Sequence, residues 1–201
     1  MFDARLRPLI DPPLNRLGAI LARAGITANQ LTFASGAIGV AAGFVIAGGN
    51  FGLGLLLILT SRLLDGLDGA VARATRVTDF GGFLDIVADF FFYVSAPVGF
   101  GLADSANAPY ALLLVASFAL TGVSFLSFAA IAEKRGHRTE AHGKKSFFYS
   151  TGIAEGTETI AAFVLMCLFP SLFPAIAAIY AALCLLTVFQ RGIAAAEMFR
   201  D

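Results

Sequence analysis

Four aspartates, Asp65, Asp68, Asp85 and Asp89, flank a short turn that carries a fifth, solvated one, Asp79. The stretch reads Asp65-Gly-Leu-Asp68-Gly69-Ala-Val-Ala72-Arg73, then a short turn, then Gly81-Gly-Phe-Leu-Asp85-Ile-Val-Ala-Asp89. On a helix, Asp65, Asp68, Gly69 and Ala72 project within roughly a quarter turn, at about 100° per residue. Asp85 and Asp89 are four apart and share a helix face. Oxygen-only donors of this kind suit magnesium or manganese. Two such ions about 3.5–4 Å apart can clamp a pyrophosphate and activate an attacking hydroxyl. One carboxylate can also serve as a general base. Gly69, Ala70 and Ala72 leave the helix face open to a large ligand. Taken alone they would read as close helix packing, but beside four aspartates the ligand reading is preferred.

The elements that must position these residues are membrane helices. Of 201 residues, 58% are hydrophobic and 14% charged, against about 25% charged in a soluble domain. Mean hydropathy is +0.80. Apolar runs of about 20 residues, enough to cross a bilayer as helix, predict spans near 27–48, 51–75, 80–103, 109–132, 146–169 and 173–195. The expected fold is an all-α membrane protein with six transmembrane helices over residues 26–201, preceded by an amphipathic surface helix in residues 1–25. A hairpin of the second and third spans about Val77 sets Asp65 opposite Asp89 and Asp68 opposite Asp85. The inner pair then lies roughly 10 Å from the turn, at about 1.5 Å per residue. Each charge near the middle of a membrane helix costs about 2.5–3.5 kcal/mol on insertion scales. Arg62 and Arg73 offset part of that cost and a divalent cation more. The plain alternative is an ion-paired network that only holds helices together.

Lys and Arg residues set the orientation. They fall before the first span, on or near the inner half of the second at Arg62, Arg73 and Arg76, between residues 134 and 145, and at the C-terminal end. None falls near residues 49, 105 or 172. The positive-inside rule places both termini, the 133–145 loop and the aspartate group in the cytoplasm. Leu6, Leu9, Ile10, Leu14, Leu17 and Leu21 recur at helical spacing among arginines, as in a helix lying on the membrane surface. Asp11-Pro12-Pro13 reads as its cap and first turn. The first 25 residues show no signal-peptide pattern.

The aspartate stretch resembles the signature of the CDP-alcohol phosphotransferase (CDP-alcohol phosphatidyltransferase) family: D-x-x-D-G-x-x-A-R, about eight residues, then G-x-x-x-D-x-x-x-D. Here seven residues, not eight, separate Arg73 from Gly81, and the shortfall falls in the turn. The segment Ile26-Thr27-Ala28-Asn29-Gln30-Leu31-Thr32 also resembles that family's approach to its first span, with Ala28 where proline is common. The whole chain is similar to an uncharacterised bacterial branch. The resemblance implies that Asp65, Asp68, Asp85 and Asp89 bind magnesium or manganese, as two ions. It implies that Asp89 also takes the proton of the acceptor alcohol. Asp68, Gly69, Ala72 and Arg73 would hold CDP, with Asn29 and Thr32 against the nucleotide. It further implies a homodimer in the bacterial inner membrane that uses CDP-diacylglycerol, releases CMP and serves phospholipid synthesis.

The resemblance leaves the acceptor open. Lys144 and Lys145 could receive a phosphorylated alcohol, though positive-inside topology explains them as simply. Glu155 and Glu158, some 10 residues into an apolar run, could bind acceptor hydroxyls or a cationic head group, or pair with Arg62 or Arg191. Phe90-Phe91-Phe92-Tyr93 reads as packing or lipid contact. Cys167 and Cys184 read as small buried hydrophobes, and His137 and His142 as solvated loop residues. No nucleic-acid partner is expected. Two other classes stay in view: a membrane prenyltransferase, which also pairs aspartate clusters around magnesium, and a divalent-cation transporter.

Overall fold

The computed structural model describes residues 3–136 and 152–200, all in helices and short connections. Helix α1 (Asp3–Arg23) precedes α2 (Ala28–Ala47), α3 (Phe51–Ala74), α4 (Asp79–Ala103), α5 (Ala108–Lys134), α6 (Gly156–Leu168) and α7 (Phe173–Met198). Four stretches are long and apolar enough to cross a membrane: Ala28–Ala47, Asp79–Ala103, Ser105–Lys134 and Pro170–Met198. Helix α3 has 24 residues, but its second half carries Arg62, Asp65, Asp68 and Arg73.

Local chemistry places the helix starts. Thr27 caps α2 in a reciprocal box: the Gln30 amide N–H donates to Thr27 Oγ1 at 3.3 Å, and the Thr27 N–H donates to Gln30 Oε1 at 2.9 Å. Asn50 caps α3 by accepting from the Leu53 N–H at 3.1 Å. Thr78 caps α4 by accepting from the Gly81 N–H at 3.0 Å. The turn between α3 and α4 is therefore only Thr75–Thr78, and Asp79 opens α4 as an exposed first-turn acid.

Helix α1 departs from its predicted start. It runs through Asp11-Pro12-Pro13, with Pro8, Pro12 and Pro13 all inside it. Pro12 and Pro13 cannot donate to the carbonyls four residues earlier. Packing holds this stretch instead: Leu14, Leu21 and Ala22 rest against buried Leu31, Leu67 and Val71. A Cβ at Gly18 would stand 2.6 Å from the Ala70 Cβ.

The sixth helix departs more. The predicted span 146–169 is not one helix: residues 152–155 are non-helical and α6 begins at Gly156. Its 13 residues reach only about 20 Å at 1.5 Å each. The freed backbone is bonded from α7. Thr187 Oγ1 accepts from the N–H groups of Ile153 at 3.2 Å and Ala154 at 3.0 Å. Glu155 Oε1 accepts from the Gly152 N–H at 3.0 Å. Non-helical backbone at membrane depth needs such partners.

Helix α2 packs between α3 and α4, and α5 packs on α4 and α7. A Cβ at Gly36 would meet Ala88 at 3.2 Å, and one at Gly39 would meet the Phe92 ring at 3.0 Å. At Gly43 the atom in the way is the Ser95 carbonyl oxygen. Below this seam, stacked rings fill the core: Phe51 on Phe100 at 5.5 Å and Phe100 on Phe173 at 4.6 Å. Phe92 is fully buried against Phe163, whereas Phe91 is 60% exposed, so that aromatic run divides between core and outer surface.

The seam gives a paired test. Gly43→Ala should push α2 from α4, because a backbone carbonyl cannot swing aside as a side chain can. Overpacking of this kind costs about 1–3 kcal/mol, so melting in detergent should fall by several degrees. Gly52→Ala, where a Cβ meets nothing within 4 Å, should hold or gain stability. Equal melting of the two variants would show that the seam does not set the α2–α4 distance.

Candidate active site

Helices α2, α3 and α4 converge at the short-turn end, and the aspartates lie there. Carboxylate oxygens of Asp65, Asp68 and Asp85 all come within 4.8 Å of one another. Asp68 is buried, and its Oδ2 accepts a 2.6 Å hydrogen bond from the Thr32 hydroxyl of α2. Oxygen ligands of an octahedral magnesium-sized ion sit roughly 3 Å apart in cis and about 4.2 Å in trans. The group therefore needs little closure to hold a divalent ion, and its all-carboxylate donor set fits magnesium or manganese.

Asp89 stands beside this group in a different contact. Its Oδ1 accepts from Arg62 Nη1 at 2.6 Å, and the same nitrogen lies 3.6 Å from Asp65 Oδ1. The guanidinium rests 3.9 Å from the centroid of the Phe92 ring. Arg62 Nη2 donates to Ser61 Oγ at 3.1 Å, and Ser61 Oγ donates to the Ser35 carbonyl at 2.9 Å. One guanidinium thus bridges α3 and α4 within the carboxylate cluster.

Arg73, one turn beyond Asp68, is turned toward α1. Its Nε and Nη2 donate to Asn15 Oδ1 at 3.1 and 2.9 Å. A Cβ at Gly69 would come within 3.2 Å of Arg73 Nη1, so the bare glycine lets the guanidinium lie close over α3. Asn29, in the first turn of α2, has its Oδ1 3.4 Å from where a Gly81 Cβ would stand. The α2 and α4 starts are therefore in close approach.

On its other side Asp89 borders a cavity of about 200 Å³. Tyr93, Phe118, Thr121, Glu155, Thr159 and Arg191 line it with Asp89. Ala154, Glu155 and Gly156, at the break before α6, form one wall of it. Thr159 Oγ1 and the Tyr180 hydroxyl share a 2.7 Å hydrogen bond behind that wall. Arg191 Nη1 donates to the Thr121 carbonyl at 2.9 Å and to Ser124 Oγ at 2.7 Å.

The sequence model of CDP-alcohol phosphatidyltransferases matches residues 25–191. The chain belongs to this family. It is 48% identical over 192 residues to the inner membrane protein YnjF of Escherichia coli strain K12, covering 95% of this chain and 93% of that one. It is 42% identical over 87 residues to an archaetidylinositol phosphate synthase of Pyrococcus horikoshii, 43% of this chain and 46% of that one. In fold it is similar to the phosphatidylinositol phosphate synthase of Mycobacterium tuberculosis. One structure of that enzyme holds manganese and citrate: TM-score 0.68, 20% identity, 90% of this chain and 87% of that one. Another holds CDP-DAG: TM-score 0.66, 20% identity, 90% and 92%. This CDP-alcohol phosphatidyltransferase is thus an enzyme and a multi-pass membrane protein. The prenyltransferase and transporter readings fall away.

Among the residues singled out from the sequence, the structure brings Asp65, Asp68, Asp85, Asp89, Gly69, Thr32 and Asn29 to one end of the bundle. The Thr32 hydroxyl is directed at Asp68, so its contact in this structure is a carboxylate. Glu155 lines the cavity, whereas Glu158 lies in the first turn of α6 outside that lining. Lys144, Lys145, His137 and His142 lie outside the described residues. Sequence reasoning missed Asn15, Thr121, Thr187 and the role of Ser61. Their only signal was polarity within apolar helices, which is weak for hydroxyls because they can bond their own helix.

Thr32→Val keeps the shape at Asp68 and removes its hydroxyl partner. Groups that orient a ligating side chain typically carry 10–100-fold in metal affinity. Mn²⁺ titration in detergent, followed by electron paramagnetic resonance, should show binding weakened by about tenfold or more. Unchanged affinity would mean Thr32 does not orient Asp68 for an ion.

Proposed function

We propose that the protein transfers a phosphatidyl group from CDP-diacylglycerol to a small alcohol and releases CMP. The observation that carries this reading is the place of Asp89. It borders the carboxylate group on one side and the cavity on the other, so one carboxylate can meet both substrates. The solved neighbour bound to CDP-DAG supports the donor.

In this reading Asp65, Asp68 and Asp85 would hold magnesium or manganese beside the donor's phosphates. A bound divalent ion supplies charge neutralisation there. Arg73, steadied by Asn15, adds a guanidinium for the phosphates, and Gly69 and Ala72 keep the α3 face low enough for CDP to approach. The acceptor alcohol occupies the cavity with its hydroxyl toward Asp89. Its oxygen attacks the phosphorus that carries diacylglycerol. A new P–O bond forms as the bond from that phosphorus to the oxygen of CMP breaks. The hydroxyl proton passes to Asp89. Glu155 and Thr159 supply acceptors and donors for the rest of the alcohol.

Topology fits this chemistry. Helices α2 to α7 serve as six spans, with α1 along the inner surface. The site end carries Arg73, Arg76, Lys134, Arg135 and Arg200, whereas the connections near residues 49, 105 and 172 carry no Lys or Arg. By the positive-inside rule the site opens to the cytoplasm. The membrane is a bacterial inner membrane, as for the Escherichia coli relative.

The test is CMP release by the purified protein in detergent with CDP-diacylglycerol, magnesium and a panel of alcohols. At least one acceptor should give CMP, and Asp89→Asn should lower that rate by about 10²–10⁴ while the variant stays folded. No CMP above the Asp89→Asn background with any acceptor would overturn the proposal.

A further inference from the structure

Where α4 faces α5, the cavity beside Asp89 is walled by aromatic rings. Phe90 and Tyr93 of α4 line it, as do Phe118 and Gly122 of α5. Residues three and four apart share a helix face, so each helix turns one face to this space. One contact in the wall is unusually close. The tip of the Phe90 ring occupies the place where any Cβ at residue 122 would stand. The same ring meets Tyr93 edge-on, with centroids 6.3 Å apart, and Tyr93 leans on Phe118 at 5.6 Å. Gly122 is buried in the middle of α5, and its φ is not positive. No turn calls for glycine there, and glycine in mid-helix is less stable than alanine. What the position supplies is a notch for Phe90.

The backbones on both sides of the notch are anchored. The Thr121 carbonyl accepts from Arg191 Nη1 at 2.9 Å, which ties α5 to α7. Asp89, next to Phe90, is tied to Arg62 of α3 at 2.6 Å. Between these anchors the half-buried Phe90 ring is the part that can turn. We infer that Phe90, parked in the Gly122 notch, sets the size of the acceptor cavity, so that residues 90 and 122 determine which alcohol reaches Asp89. Lifted from the notch, the ring enters the cavity it already lines and shortens the space left for the alcohol. Without the ring, the cavity of about 200 Å³ extends to α5 and admits a bulkier alcohol. An apolar wall of this kind selects by shape, where one methylene changes discrimination by about 10–200-fold. Phe90 and Gly122 are thus specificity-determining residues that take no part in proton transfer. The inference rests on the reading of this cavity as the acceptor's and deepens it.

The experiment is CMP release by the full chain in detergent with CDP-diacylglycerol and magnesium. The acceptors are ethanolamine, serine, glycerol, glycerol phosphate, inositol, inositol phosphate and, as the bulkiest, sucrose. Gly122→Ala should raise the acceptor KM by about tenfold or more and leave the donor KM unchanged. Adding Phe90→Leu to Gly122→Ala should recover the acceptor KM. Phe90→Ala should raise kcat/KM for alcohols bulkier than the best wild-type acceptor, relative to that acceptor, by about tenfold or more. A contact that serves packing alone would lower the melting temperature and leave these ratios where they were. An unchanged acceptor KM in folded Gly122→Ala, or an equal rise in donor and acceptor KM, would overturn the inference. So would an unchanged acceptor profile in Phe90→Ala, which decides the matter by itself should Gly122→Ala fail to fold. CMP release by wild type with no change of acceptor preference in the variants sinks the inference and leaves the reaction standing. No CMP from wild type with any acceptor removes both.

Discussion

Carboxylates gathered among apolar helices must be balanced where they stand, because each charge placed there is costly. Most of the architecture around α3 and α4 follows from that constraint. The turn of Thr75–Thr78 is short, so the two helices cannot slide far, and Thr78 fixes the α4 start by capping Gly81. Arg62 spans the pair from α3 to α4. Thr32 brings a hydroxyl from α2 to the most buried of the acids. Each device sits on a different helix, so the balance of charge also fixes how three helices meet.

Close approach of α2 makes these contacts reachable. A threonine hydroxyl is short, and Thr32 meets Asp68 at 2.6 Å only if the helix axes nearly touch. The glycines at 36, 39 and 43 let α2 lie close on α4 by offering no side chain where Ala88, Phe92 and Ser95 stand, and Gly39 also clears Ser61 of α3. Packing of small residues supplies association in lipid, where burying apolar surface gains little. The small residues that would read as mere packing are thus a condition for the polar site. On α3 the two readings coincide again, since Gly69 makes room for Arg73 and Gly18 lets α1 lie on Ala70.

What was legible in the sequence depended on the range of the interaction. The aspartates could be placed because a helix repeats every few residues and the turn follows at once, so Asp65, Asp68 and Asp85 were near one another by local geometry alone. The helix caps at Thr27, Asn50 and Thr78 are equally local. The break before α6 was not legible. Gly152 and Glu155 were its only local signs, and what releases the stretch is Thr187, 33 positions from Ala154. Asn15 and Arg73 are 58 positions apart and meet only because α1 packs on α3. The prolines of α1 misled for a related reason. Proline weakens a helix locally, but packing on Leu67 and Val71 sustains it.

The α6 break and the aspartate group have to be considered together. A continuous sixth helix would satisfy its own backbone and present a wall of side chains to Asp89. Interrupting it costs helical hydrogen bonds, which Thr187 and Glu155 restore. In return it opens a cavity against a carboxylate that already faces the charged group. Interrupted helices in membranes are tolerated where they line a cavity. On the proposed reading this explains why Asp89 differs from its three neighbours. It is the acid at which a fixed, charge-balanced donor side meets an adjustable acceptor side. The rigid half is built from helices α2, α3 and α4, whose contacts are short and directional. The other half is built from α5, α6 and α7, whose lining of Phe118, Thr121, Thr159 and Arg191 can change without disturbing a single aspartate contact. A shared carboxylate group and a variable cavity wall are what one fold needs to serve several alcohols with a single phosphoryl-transfer chemistry.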